Sequence, residues 1–226
     1  YEQPLITENF AVADFVDQQL GQSINDWLTF YESASRLIDH LHSTGAGGAF
    51  INVYGEGGSL MPLNSTQTTP RYDSGIFSSD GRDPIRKDVL ELLYRMFDRA
   101  GLDLVPVLSF DHRLSSLEFM QGESRSDLDL VDYRNLNRQA DSDQNQPLYN
   151  PLSLTVQRAV NTIIREIADR YRGRRYWRGL AVVCRPDTCT LLPGSRLAGY
   201  DVASISRFLS TLPNEAESQP EIPTVL

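Results

Sequence analysis

The sequence predicts an α/β fold with a parallel sheet, organised as about four β/α units. Apolar runs of strand length recur at GGAFINVY, LDLVPVLSF and RGLAVVCRPD, and each follows an amphipathic helical stretch. The helix-to-strand links are short, whereas the strand-to-helix links are long. In parallel α/β folds the ligand site lies beyond the carboxyl ends of the strands and is built by the loops that follow them. The long links are therefore where chemistry is sought.

Taken in order, the chain opens with PLITENFAVADFV, which holds a strand near Leu5 to Phe10 and then an irregular link. Asn25 or Asp26 caps the next helix, whose face is Trp27, Phe30, Tyr31, Ala34, Leu37, Ile38 and Leu41, and Gly45 ends it. A strand from Gly48 to Tyr54 follows. The stretch from Gly55 to Arg82 is rich in Gly, Ser, Thr and Pro, and so long an irregular segment in a compact domain points to function. Asp83 and Pro84 read as N-cap and first residue of a helix that buries Ile85, Val89, Leu92, Leu93, Met96 and Phe97, closed by Gly101.

Leu102 to Phe110 is the next strand, in which Pro106 lacks the N–H a central strand donates, predicting a bulge or a less regular strand. Asp111 to Leu148 is mostly polar, with a short helix near Ser115 to Met120. The run DLDLVDYRNLNRQADSDQNQ either projects from the body or is a partly disordered insertion. Asn150 and Pro151 start the clearest helix, with Val156, Ala159, Val160, Ile163, Ile167 and Tyr171 on one face and Arg158, Arg165, Asp169 and Arg172 on the other. Gly173 stops it, and the strand from Arg178 follows. A last helix spans about Val202 to Leu212, and the Pro- and Glu-rich tail Pro213 to Leu226 reads as a linker or the start of further structure.

With 226 residues the chain has room for a full core, although a closed eight-unit barrel takes ~250 residues. Either the rest of a barrel lies beyond Leu226 or this is a smaller α/β domain. Its 40% hydrophobic and 23% charged residues are those of an ordinary globular protein. A net charge of -9 argues against nucleic acid or an anionic membrane as the main partner, because phosphate binding needs concentrated positive charge. No apolar run approaches the ~20 residues of a transmembrane helix. The chain begins at Tyr1 with no signal-peptide pattern, so it is expected to be an excised or processed piece whose compartment is not legible from targeting signals.

Cys184 and Cys189 are too few for a disulfide framework and are expected as unbridged thiols, with Cys184 buried in its strand; the alternative is a local bridge if the loop folds back. Neither their spacing nor the three histidines suggests zinc. GAGG at Gly45 to Gly48 precedes its strand, so it is not a dinucleotide fingerprint, and there is no G-x-S-x-G elbow. No cofactor or metal is expected.

Several stretches carry a resemblance together: PRYDSG from Pro70, DPIRKDVLELLYRMFDRAGLDLVPVLSF from Asp83, YNPLSLTVQRAV from Tyr149, and RGLAVVCRPD, LLPG and GYDVASISRF from Arg178 onward. In order and spacing they resemble the bacterial family 10-like glycosylhydrolases, over most of Asp26 to Phe208. The resemblance implies a (β/α)8 TIM-barrel scaffold, with residues 1–212 forming about the first four units, a carbohydrate substrate, and a place within a larger extracytoplasmic protein. The sequence departs from the family pattern twice. It has Gly55-Glu56-Gly57-Gly58 where an Asp-containing turn is expected after the second strand, and Asp201-Val202 where the family has an acidic pair.

Glycoside hydrolysis needs two carboxyl groups flanking the scissile bond, one protonated and one ionised. Asp187, directly after the last strand, is the first candidate, as general acid or substrate ligand; its alternative is an Asx turn after Pro186. Glu56 and Asp111 hold equivalent places after the second and third strands, and in a barrel the three carboxylates converge; outside one they are solvated loop residues. Arg185 can hold a carboxylate ionised or bind an acidic substrate, and His112 can act as acid or base near neutral pH. Tyr54, Tyr72, Phe110, Tyr149 and Asn150 offer the flat and polar surfaces that sugar sites use, or else anchor core and loops. Arg170, Arg172, Arg174, Arg175 and Arg178 fall at the opposite end of the last strand and read as a solvated or interface patch. The alternative to an enzyme is a non-catalytic carbohydrate-binding or structural module on a degenerate barrel. A second carboxyl ~5 to 9.5 Å from Asp187 separates the two.

Overall fold

The computed structural model describes residues 5–10, 27–55, 58–65, 88–118, 127–131, 137–138, 149–192 and 199–212. In chain order the described elements are β1 (Leu5–Phe10), α1 (Trp27–Thr44), β2 (Gly48–Gly55), β3 (Gly58–Ser59), α2 (Val89–Ala100), β4 (Asp103–Leu108), α3 (Ser115–Glu118), β5 (Leu130–Val131), β6 (Asn137–Arg138), α4 (Leu154–Tyr171), β7 (Ala181–Val182) and α5 (Val202–Thr211). The fold is mixed α/β. Its main sheet runs β1-β2-β4-β7 with every neighbouring pair parallel, so strands separated by helices lie side by side in chain order. The short β3 folds back antiparallel on the end of β2, and β5 and β6 form a separate antiparallel pair.

The helices form because their apolar residues recur at helical spacing, and glycines end two of them. Gly45 and Gly101 adopt φ near +70°, which an L side chain resists, and the chain turns there into β2 and β4. The buried face of α1 is Phe30, Ser33, Ala34, Leu37 and Leu41. Trp27 and Tyr31, expected on that face, are 45% and 52% exposed, because the face is centred on Phe30, Ala34, Leu37 and Leu41. In α2 the buried residues are Val89, Leu90, Leu93, Tyr94 and Phe97. The cap is Asp88, whose carboxylate accepts from the Glu91 N–H at 2.9 Å; Asp83, Pro84 and Ile85 lie outside the described residues.

The start of α4 also differs from expectation. Ser153 is the N-cap, accepting from the N–H groups of Thr155 and Val156, while Asn150 and Pro151 form the turn before it. Its buried face is Val156, Val160, Ile163, Ile167 and Tyr171. The polar run from Asp127 does not begin as a projection: Leu128 and Leu130 are buried, and the Leu128 carbonyl accepts the Asn150 N–H at 2.7 Å.

The sequence places β7 from Arg178, yet its ladder is only Ala181–Val182. Pro106 accounts for the difference. Along β4 the N–H groups of Asp103 and Ser109 point to β2 (Gly47 O at 2.8 Å, Tyr54 O at 2.8 Å), and that of Leu104 points the other way, to Tyr176 O. By this alternation Pro106 turns its missing donor toward the β7 side, and pairing resumes only at Val107 and Leu108. Pro106 itself stays in register opposite Ile51; the irregularity with β2 falls instead between Asn52 and Tyr54.

The loop after β3 belongs to the core, contrary to its irregular look: Leu60, Met61 and Leu63 are buried, and the Leu60 carbonyl receives the N–H groups of Val89 and Leu90. Helix α4 straps this loop down. Glu166 accepts from the backbone N–H groups of Asn64 (2.6 Å) and Ser65 (2.8 Å), Arg170 donates to Pro62 O, and Tyr171 Oη donates to both oxygens of Asp88 (2.7 and 2.8 Å). Burial pushes the Glu166 carboxyl up, but the N–H donors and Arg170 outweigh it and hold it below the ordinary 4.5. A depressed carboxyl adds stability above its unfolded pKa and loses it as pH falls through the folded one. Glu166→Gln is therefore expected to lose about 1–2 kcal/mol at pH 7, and urea melts should show that gap closing below about pH 4. A gap constant across that range would remove this role from Glu166.

At the other end of the chain α5 turns its apolar side outward. Val202, Ile205, Phe208, Leu209 and Leu212 are exposed, while Ser204 is buried. Among the described residues no helix is long and apolar enough to cross a membrane.

Candidate functional site

The carboxyl ends of β2, β4 and β7 lie together, stitched by backbone bonds. Ser109 N–H donates to Tyr54 O, Val183 N–H to Leu108 O at 2.9 Å, and Cys189 N–H to Phe110 O at 3.2 Å. The segment after β7 is a compact turn rather than a free loop. Thr188, fully buried, donates its hydroxyl to Arg185 O at 2.7 Å and accepts the Arg185 N–H at 3.1 Å. That turn fixes where Arg185 and Asp187 stand.

Two predicted carboxylates, Asp111 and Asp187, meet here through Arg185. The guanidinium forks onto Asp187, with Nε to Oδ1 at 3.0 Å and Nη2 to Oδ2 at 2.9 Å, and the same Nη2 reaches Asp111 Oδ2 at 3.2 Å. Such a planar fork fits an anionic carboxylate. Ser109 donates to Asp111 Oδ2 at 2.6 Å, and His112 Nδ1 lies 3.5 Å from Asp111 Oδ1. The His112 imidazole, and then the Ser109 hydroxyl, outweigh the opposing cost of burial and hold Asp111 down at about 2. Asp111 is thus ionised at neutral pH and cannot supply a proton to a leaving group there.

Around this cluster the wall is aromatic. Tyr54 is buried, packing edge-on against the His112 ring at 4.8 Å and tilted against Phe110 at 5.5 Å. Burial raises its hydroxyl well above the ordinary tyrosine value. Tyr54 supports the site from beneath and presents no open face to a ligand. Cys189 is buried and its thiol is pushed up to about 12 by that burial, so it is not a nucleophile; Cys184 is the exposed one, the reverse of the expected arrangement.

Tyr149 and Asn150, expected to meet substrate, act instead as internal brackets. Tyr149 Oη donates to Glu118 Oε1 at 2.6 Å and accepts the Leu114 N–H at 2.9 Å. Asn150, with no exposed surface, donates from Nδ2 to Asp201 Oδ2 at 2.8 Å and accepts the Leu152 N–H on Oδ1 at 3.1 Å. Glu56 and Tyr72 lie outside the described residues. The arginine group at the opposite end pairs internally: Arg174 with Glu91, Arg178 with Asp103 at 2.9 Å, and Arg170 with Glu166 at 3.2 Å.

Ser109 and Thr188 are not among the residues the sequence singles out, and Asp201 stands out there only as a departure from a family pattern, not as the cap and buried partner of Asn150 that it is. Ser109 had a signal, standing two positions before Asp111 where a turn brings the side chains together; Asp201 had one as the residue before an apolar helix, and Thr188 had none. Among the described residues no group of three or more His, Cys, Asp or Glu is gathered as metal ligands.

No family model matches the chain, so the resemblance to family 10-like glycosylhydrolases has no support from that side. No curated protein matches it. Among solved structures it is similar to an α-L-fucosidase of glycoside hydrolase family 29 from Bacteroides thetaiotaomicron, trapped as a covalent intermediate. The identity is 14% and the TM-score 0.39, over 74% of this chain and 37% of the fucosidase. The chain therefore spans well under half the length of that enzyme.

Proposed function

We propose that this chain forms the first four units of a glycoside hydrolase-like (β/α)8 barrel and acts on a polysaccharide or oligosaccharide at the carboxyl ends of its strands. The observation that carries the reading is Arg185 joining Asp111 and Asp187 from two adjacent parallel strands. It gathers two carboxylates where such folds place their chemistry. The outward apolar stripe of α5 agrees with a further β/α unit packing there. In this site Asp111, held ionised, serves as an acceptor for a ligand hydroxyl, and Asp187 as the more exposed carboxyl.

The second reading, a non-catalytic carbohydrate-binding module, is favoured by the same arginine. A guanidinium held by both carboxylates orients them as acceptors for sugar hydroxyls and leaves neither set up as a proton donor.

Turnover and binding of a polysaccharide panel by the full chain, compared with Asp187→Asn, separate the readings. The expected result is a loss of about tenfold or more in the variant. Turnover in the parent that the variant loses supports the enzyme, whereas binding without turnover supports the module. Equal behaviour of the two proteins would remove Asp187 from the site, and no binding at all would end both readings.

A further inference from the structure

We infer that His112 is a one-sided acid–base group: Nδ1 carries a proton directed at Asp111, which leaves the Nε2 lone pair to face solvent and accept a proton from a hydroxyl ligand. His112 Nδ1 is buried and makes no formed hydrogen bond; it stands 3.5 Å from Asp111 Oδ1. A lone pair on Nδ1 would stand beside that carboxylate at 3.5 Å, too close for a water to come between and screen it, so the proton belongs on Nδ1. A neutral imidazole carries a single N–H, which makes Nε2 the acceptor. The side chain keeps 16% exposure with none of it at Nδ1, and Nε2, which bonds no described residue, is not among the buried polar atoms and so is open to solvent.

The ring is held from three strands. Tyr54 at the end of β2 packs edge-on against it at 4.8 Å. Asp111, after β4, is itself fixed by Ser109 at 2.6 Å and by Arg185, after β7, at 3.2 Å. The charged and titratable groups around the pair are Asp111, Arg185, Asp187, Tyr54 and Cys189. In the step this geometry permits, the O–H bond of the ligand breaks with its electron pair left on the ligand oxygen, the proton forms an N–H bond at Nε2, and the imidazolium charge is balanced by Asp111. Asp111 acts here as a positioning residue. The arrangement goes beyond the carbohydrate reading, since it holds for any ligand that presents a hydroxyl to Nε2.

The test is the tautomer, read from long-range proton–nitrogen correlation spectra of the full chain labelled with nitrogen-15, at about pH 8. His42 is an internal reference: its Nε2 stands 3.2 Å from the Ala100 carbonyl, which can only accept, so His42 is the Nε2–H form. His112 is expected to show the opposite form, with Nδ1 protonated. An Nε2–H signature, or a fast-exchanging mixture, overturns the inference. In Asp111→Asn the anion is gone, and His112 is expected to relax to a mixture while His42 stays as it is. If that variant loses the His42 signature, and so its fold, the parent spectrum alone decides. A folded variant whose His112 stays wholly Nδ1–H overturns the part given to Asp111. Sugar turnover does not enter, so failure of the carbohydrate reading leaves this result intact.

Discussion

Gly48→Ala is expected to destabilise the chain by about 3 kcal/mol or more, a larger loss than any single side chain of the site would cause. A Cβ at this position would stand 2.0 Å from the Asp103 carbonyl oxygen and 2.8 Å from the Asp103 Cβ, far inside van der Waals contact. The obstacle is the backbone of a neighbouring strand, which cannot swing aside as a side chain can. Gly48 is paired with Leu5 on one side and Asp103 on the other, so any retreat from β4 pushes into β1. Asp103 is pinned as well, its N–H on Gly47 O at 2.8 Å and its carboxylate on Arg178 at 2.9 Å. Urea denaturation measures the effect. Gly173→Ala, where a Cβ meets open space, serves as control and should stay within about 0.5 kcal/mol of the parent. Equal midpoints for Gly48→Ala and the parent would mean that β2 and β4 do not approach as closely as described.

The second large effect is expected at Asn150, where alanine should cost about 2–3 kcal/mol. Asn150 ties its own turn to two segments that are distant in sequence, and alanine keeps only the backbone part of that tie. The backbone N–H reaches Leu128 O, the side-chain carbonyl holds the Leu152 N–H, and the side-chain NH2 reaches Asp201. Truncation removes a donor from the buried Asp201 carboxylate, whose other oxygen accepts the Ser204 N–H at 2.8 Å as the cap of α5. The loss should therefore appear both in the global midpoint and in faster amide exchange across Val202–Thr211, with α4 little changed. Uniform protection in α5 would show that Asn150 is not its anchor.

The helices were legible wherever an apolar stripe ran uninterrupted, as at Val156, Val160, Ile163, Ile167 and Tyr171 in α4. Boundaries were less so, because a capping residue is recognised by a bond to the backbone that composition does not reveal. Asn150 and Pro151 look like the start of α4, yet the cap is Ser153, which accepts N–H groups from two and three residues ahead. The extent of β7 was hidden for another reason: the run from Arg178 is apolar enough for a strand, but a ladder needs a partner with donors, and Pro106 withholds one.

Asp111, Asp187, Arg185 and His112 could be named as candidates from their places after strands. That Arg185 would bind both carboxylates depends on the turn made by Thr188, a three-dimensional fact with no periodic trace. Tyr149 and Asn150 show the converse. Polar residues near strand ends looked available to a ligand, yet burial with satisfied hydrogen bonds makes them internal ties.

The side-by-side parallel order of the main sheet also sets the pace at which the molecule can assemble. Every parallel rung, from Leu5 with Gly48 to Val107 with Ala181, joins positions roughly forty or more residues apart, so none of these parallel pairs can form as a local hairpin. Loop closure must precede each contact that rewards it, which places this chain among the slow folders, on the millisecond-to-second scale. During synthesis β4 emerges long before Ala181 and Val182, and its edge waits, unpaired, for a strand not yet made.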